Sequence, residues 1–134
     1  MDSSIEPGSR VRSTVQLPAE LSTPGRARRF AAQALQDTTH TGLVDDLALV
    51  VSELVTNAVM HTDGPITLTV ETSRHLVRVE ILDNVPELLQ LPATEDAEHG
   101  RGLPIVERVA HAWGADPQID DGKMVWAELR DPHA

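Results

Sequence analysis

The sequence predicts an α+β domain, a two-layer sandwich in which helices cover one face of a mostly antiparallel β-sheet. Apolar residues recur at helical spacing in three segments, and apolar and polar residues alternate in the segments predicted as strands. The elements follow in the order β-α-α-β-β-lid-α-β-β, in which the lid is a long loop over residues 84–99. A hairpin signal near the end favours antiparallel pairing. With 134 residues, the chain suffices for one domain with a single core.

The first half of the chain predicts one strand and two helices. Residues 11–17 alternate with period two and predict the first strand. Ser22 or Thr23 is the predicted N-cap of the first helix, with Pro24 at its first position. The second helix covers residues 43–61, and its apolar residues have the 3–4 spacing of a buried stripe. This stripe consists of Leu47, Val50, Val51, Leu54, Val55, Ala58 and Val59.

The second half predicts four strands and a third helix. A turn over 62–65 precedes strands over 66–71 and 76–83, and Asp83 continues the row of apolar residues in the second of them. Residues 102–113 predict the third helix, with Gly114 just past its end. The chain closes with a strand, an Asp121-Gly122 turn and a last strand over 124–129.

Composition also defines the predicted boundaries. Residues 1–9 are predicted as a disordered N-terminus, 10–130 as the folded domain and 131–134 as a tail. The segment over 84–99 has four acidic residues and no Lys or Arg. A loop of this length inside a domain is often a functional lid.

Charge and composition exclude several classes of function. The 21 acidic and 11 basic residues give a net charge of −10, which argues against nucleic-acid binding. The chain has no cysteine, which excludes disulfides and thiol catalysis. There is no apolar run long enough to span a membrane and no signal-peptide pattern, so we expect a cytoplasmic location.

Glu53 and Asn57 are the first candidate site residues. They lie at i and i+4 on the second helix, so they are neighbours at the border of its apolar stripe. A carboxylate there can accept a proton, and an amide oxygen can bind a hard cation. An ordinary polar helix border is the alternative.

Two further candidates lie at the ends of predicted elements. Asp83 either starts a loop or is a fixed acceptor for an exocyclic amine such as N6 of adenine. The glycines of segment 99–103 (HGRGL) allow backbone N–H groups to approach phosphate oxygens before a helix N-terminus. The segment is neither a Rossmann fingerprint nor a P-loop, and a plain turn is the alternative.

Taken together, these segments resemble the GHKL ATPase superfamily with its Bergerat fold, and within it the anti-sigma-factor serine/threonine kinases. The family's N-box is matched by residues 53–61 (ELVTNAVMH), and its second glycine box by 99–106 (HGRGLPIV). Residues 81–86 (ILDNVP) stand where the first glycine box belongs. The closing segments of the family resemble 112–114 and 122–129, and the similarity covers about residues 10–130.

The resemblance implies roles for the candidate residues. Glu53 would be the catalytic base, Asn57 would hold Mg²⁺, and Asp83 would accept the adenine amine. Gly100 and Gly102 would let the lid and the third helix reach the phosphates. The implied nucleotide-binding residues are Asn57, Asp83, Gly100, Arg101, Gly102 and Leu103.

The resemblance also implies a function and partners. The chain would be a bacterial ATP- and Mg²⁺-binding anti-sigma factor, commonly a homodimer, that sequesters a sigma factor. It would phosphorylate a serine on an anti-anti-sigma protein of the STAS type. Val85, which replaces a glycine usual in the family, and Met124, where many relatives have Thr, leave an alternative open. This alternative is a sigma-factor-binding module with weak or no kinase activity.

Overall fold

A five-stranded antiparallel sheet forms one layer of the computed structural model, which describes residues 10–83, 102–118 and 122–132. The spatial order of the strands is β1-β2-β3-β5-β4, so β5 lies between β3 and β4. The strands are β1 Val11–Leu17, β2 Ile66–Thr72, β3 Leu76–Asp83, β4 Ala112–Pro117 and β5 Lys123–Arg130.

The helices of the described ranges form the second layer and cover one face of the sheet, as the sequence predicts. They are α1 Thr23–Leu35, α2 Val44–His61 and α3 Gly102–Val109, and a 3₁₀ turn at Thr41–Leu43 precedes α2. The α2 helix packs against α1, α3 and the sheet. The two-layer α+β architecture is therefore confirmed.

The core lies between the sheet and the apolar stripe of α2. Six of the seven predicted stripe residues are buried, because the 3–4 spacing puts them on one face of the helix. The facing row of β3 is buried too, with Val77 and Val79 at 0% exposure and Ile81 at 1%. Each such side chain contributes roughly 1.5–3 kcal/mol relative to exposure. Asp83 continues this row, as predicted, and is 4% exposed.

The third helix is shorter than predicted. It ends at Val109, and Ala112–Pro117 forms β4 instead of the last helical turn. Pairing with β5 accounts for the difference, because it places Trp113 opposite Ala127 and Gly114 opposite Trp126. Gly114 is thus a strand residue. Its missing side chain leaves room for Trp126, since a Cβ atom there would lie 2.9 Å from the Trp126 Cζ2 atom.

The β4–β5 hairpin predicted at Asp121-Gly122 is present, although Asp121 itself lies outside the described residues. The Gln118 N–H donates to the Gly122 carbonyl oxygen at 3.0 Å, and Gly122 has a φ of 142° that favours glycine. The last strand begins at Lys123, one residue earlier than predicted.

The predicted N-terminal segment 1–9 and the lid over 84–99 lie outside the described residues. At the other end of the domain, buried contacts extend one residue past the predicted boundary, to Asp131. Within the described ranges, no helix combines the length and the apolar character needed to cross a bilayer.

Candidate functional site

The first feature of the site is a buried ion pair between Asp83 and Lys123. Asp83 is the last residue of β3 and Lys123 the first of β5, and the antiparallel register places them opposite each other. The Lys123 Nζ atom lies 3.5 Å from the Asp83 Oδ2 atom, and the two side chains are 5% and 1% exposed. Lysine and aspartate are almost never fully buried unless paired, so each charge stabilises the other.

The C-terminal half of α2 lies at the same end of the sheet as Asp83. A short turn, Thr62 to Pro65, joins the end of α2 to Ile66 at the start of β2. Because Thr67 pairs with Leu82, the start of β2 lies beside the end of β3. Connectivity therefore brings the end of the helix to the end of the sheet that carries the Asp83–Lys123 pair.

Glu53 and Asn57 lie on this half of α2. Asn57 is one turn from the helix end at His61, about 6 Å along the axis, and Glu53 is about 12 Å from it. Both side chains are half-buried, at the border of the buried stripe where the sequence places them. Asn57 therefore lies near the end of the sheet that carries Asp83, and Glu53 lies one helical turn further from it.

The glycine segment is described only in part. Gly100 and Arg101 lie outside the described residues, while Gly102 and Leu103 form the first residues of α3. The α3 helix packs against α2, so its N-terminal residues belong to the layer that contains Glu53 and Asn57.

A contact between α1 and α2 lies next to Glu53. Arg28 of α1 donates from Nη1 to the Ser52 Oγ atom at 3.1 Å. The contact is exposed, so its contribution to stability is small. It joins α1 to α2 at the residue before Glu53.

The donor set suits a nucleotide with a hard cation. In the part of the chain that the structure describes, no group of three His, Cys, Asp or Glu residues could hold a metal ion. Asn57 offers one amide oxygen, which fits a cation whose other ligands are phosphate oxygens and water, as is usual for Mg²⁺. Asp83 offers a buried carboxylate, which fits a polar group of a base better than it fits a phosphate.

The open face of the sheet carries charges of a different kind. A row of alternating charges crosses four strands, with Arg12 opposite Glu71, Glu71 opposite Arg78, and Arg78 opposite Glu128. Hydrogen bonds to Glu71 and Glu80 raise the pKa of Arg12. Burial lowers the pKa of Arg78, but its bonds to Glu80 and Glu128 outweigh this effect and raise it. These charged side chains form ion pairs with one another. They lie on the face of the sheet opposite the candidate site.

The sequence did not identify Lys123 as a partner of Asp83. The signal in the sequence is Gly122, which ends the turn directly before β5 and so marks Lys123 as the first residue of that strand. Placing Lys123 opposite Asp83 also requires that β5 lie beside β3. Local patterns do not specify this order of strands.

Comparison with known proteins yields a family match. The family model of the histidine kinase-like ATPase domain matches residues 17–128, a range that contains Glu53, Asn57, Asp83 and Lys123. None of the curated proteins matches the chain.

Proposed function

Because the chain belongs to the histidine kinase-like ATPase domain family, we propose that it is an anti-sigma factor that binds ATP and Mg²⁺ and phosphorylates a serine of an anti-anti-sigma protein. The observation that carries the nucleotide site is that Asp83 lies at the end of the sheet where α2 ends, with Asn57 one turn and Glu53 two turns before that helix end. The resemblance of segments 53–61 and 99–106 to the anti-sigma-factor kinases supports the finer assignment.

Two residues of the chain bind and orient the nucleotide in this proposal. The Asp83 carboxylate accepts a hydrogen bond from the adenine amine, which fixes the base at the end of β3. The Asn57 amide oxygen is a ligand of Mg²⁺. When bound, Mg²⁺ neutralises phosphate charge, the main requirement of phosphoryl transfer besides positioning.

Glu53 is the proposed base. The serine hydroxyl oxygen of the acceptor forms a bond to the γ-phosphorus, the bond from that phosphorus to the bridging oxygen breaks, and ADP leaves. The Glu53 carboxylate takes the proton of the hydroxyl. Glu53 is half-buried and one helical turn from Asn57, so it can face the γ-phosphate while Asn57 faces the cation.

The proposed partners are proteins. A sigma factor would be sequestered by a homodimer of this chain in the bacterial cytoplasm, and a STAS-type anti-anti-sigma protein would release it until phosphorylated. The net charge of −10 supports a protein partner with a basic surface over a nucleic acid.

The test is transfer of labelled phosphate from γ-³²P-ATP to purified anti-anti-sigma proteins encoded in the source genome. We expect label on serine of one of them with the wild-type chain, and a loss of at least two orders of magnitude with Glu53→Ala, the size of a general-base effect. ATP affinity should remain unchanged in that variant. Glu20→Ala removes an exposed glutamate before α1 and is the matched control.

Two results would count against the proposal. Transfer by Glu53→Ala at the wild-type rate would exclude Glu53 as the base. Absence of label on every acceptor, together with intact ATP binding, would exclude the kinase activity and leave the ATP site standing.

A further inference from the structure

Lys123 is a buried charge beside Asp83, the proposed acceptor for the adenine amine. The resemblance to the family assigns Lys123 no role. Its side chain is 5% exposed and lies 3.5 Å from Asp83, on the helix-covered face of the sheet. Burial of an ion pair costs desolvation free energy, and apolar side chains at the same places are often as stable or more stable. Stability alone therefore does not explain a lysine at this position.

The strand register excludes the neighbouring residue from the same position. Lys123 is opposite Asp83, whereas Met124 is opposite Leu82, which is exposed on the open face. Because side chains alternate along a strand, the Met124 side chain belongs to that other face. The donor next to Asp83 is therefore the Lys123 ammonium.

The hydrogen-bonding groups of the pair are complementary to one edge of adenine. A carboxylate only accepts hydrogen bonds and an ammonium only donates them. On adenine, the N6 amine donates and the adjacent N1 atom accepts. An acceptor and a donor 3.5 Å apart can therefore face these two neighbouring positions of a single base.

We propose that Lys123 is a second adenine-binding residue, which donates a hydrogen bond to N1 of adenine while Asp83 accepts one from N6. This inference rests on the proposed ATP site and adds a contact to it. Guanine has an acceptor at position 6 and a donor at N1, so with Asp83 at position 6 its O6 atom would face a carboxylate. We therefore expect the pair to select adenine over guanine.

The test compares ATP with 1-deaza-ATP, in which a C–H group replaces N1, by isothermal titration calorimetry. The wild-type protein should bind 1-deaza-ATP about tenfold more weakly than ATP, the loss expected for a hydrogen bond from a charged donor. Lys123→Met should bind the two nucleotides with equal affinity. Arg130→Met removes an exposed cation at the other end of β5 and should discriminate as the wild type does.

A third nucleotide separates this inference from the function on which it rests. Purine riboside triphosphate keeps N1 but lacks the N6 amine, so its weaker binding reports the Asp83 contact alone.

Equal binding of ATP and 1-deaza-ATP by the wild-type protein would overturn the role of Lys123, and this result does not depend on how any variant folds. Tighter ATP binding by Lys123→Met would overturn it too, since Lys123 would then compete with adenine for Asp83. A wild-type protein that binds none of the three nucleotides would overturn the ATP site itself.

Discussion

His40 and Asp131 are 91 residues apart in sequence and form a buried contact, with the His40 Nδ1 atom 2.8 Å from the Asp131 Oδ2 atom. The His40 Nε2 atom lies 2.6 Å from the Ser73 carbonyl oxygen, and the Asp131 N–H donates to the His75 carbonyl oxygen. The cluster joins the α1–α2 connection, the β2–β3 turn and the end of β5. It lies at the end of the sheet opposite Asp83, because β3 and β5 are antiparallel.

His40→Ala should therefore lower stability without affecting the nucleotide site. The change removes both ring contacts and leaves the Asp131 carboxylate without the imidazole in a buried position, at a cost of about 3 kcal/mol. Urea unfolding followed by Trp fluorescence measures the loss. His75→Ala removes an exposed ring in the same region and serves as the control. A loss for His40→Ala no larger than for His75→Ala would show that the cluster does not hold the fold together.

Gly114→Ala should destabilise the β4–β5 hairpin. The new Cβ atom would lie 2.9 Å from the Trp126 Cζ2 atom, so the indole or the strand must move, which costs roughly 1–3 kcal/mol. Gly42→Ala is a suitable control because a Cβ atom there meets nothing within 4 Å. Thermal unfolding should show a lower Tm for the first variant and an unchanged or slightly higher Tm for the second. Equal Tm values would contradict the close approach of Trp126 to Gly114.

Arg78→Lys should lower the free energy of unfolding although it keeps the positive charge on the open face of the sheet. The Arg78 guanidinium donates to Glu80 and Glu128 and lies 4.5 Å from the centre of the Trp126 ring. A lysine ammonium cannot maintain the contact with the ring and both hydrogen bonds, so we expect a loss of about 1 kcal/mol. Arg74→Lys, at an exposed turn position, should be neutral. Denaturant midpoints measure the difference, and a neutral Arg78→Lys would show that charge alone matters at this position.

The elements predicted best are those whose own periodicity determines them. Residues 11–17 and 76–83 form strands with the predicted bounds, and α2 begins one residue later than predicted. The predicted end of α3 was wrong because the chain from Ala112 onward pairs with β5. Pairing between two strands here overrides a local helical pattern. Sequence alone does not show which strands become neighbours.

The same limit applies to the site. The positions of Glu53 and Asn57 at the border of a buried stripe, and of Asp83 at the end of a buried row, follow from helix and strand periods. The partner of Asp83 does not follow, because Lys123 comes beside it only when β5 is inserted between β3 and β4. The roles of these residues in nucleotide binding and transfer stay predictions.

The most direct measurement of the central claim is isothermal titration of the purified protein with ATP, with and without Mg²⁺. We expect micromolar binding that depends on Mg²⁺. Asp83→Asn should bind more weakly by roughly 1–3 kcal/mol, because a buried polar contact to the base is disturbed. Absence of binding up to millimolar ATP would contradict the nucleotide site at the Asp83 end of the sheet, and equal affinity of Asp83→Asn would exclude Asp83 from it.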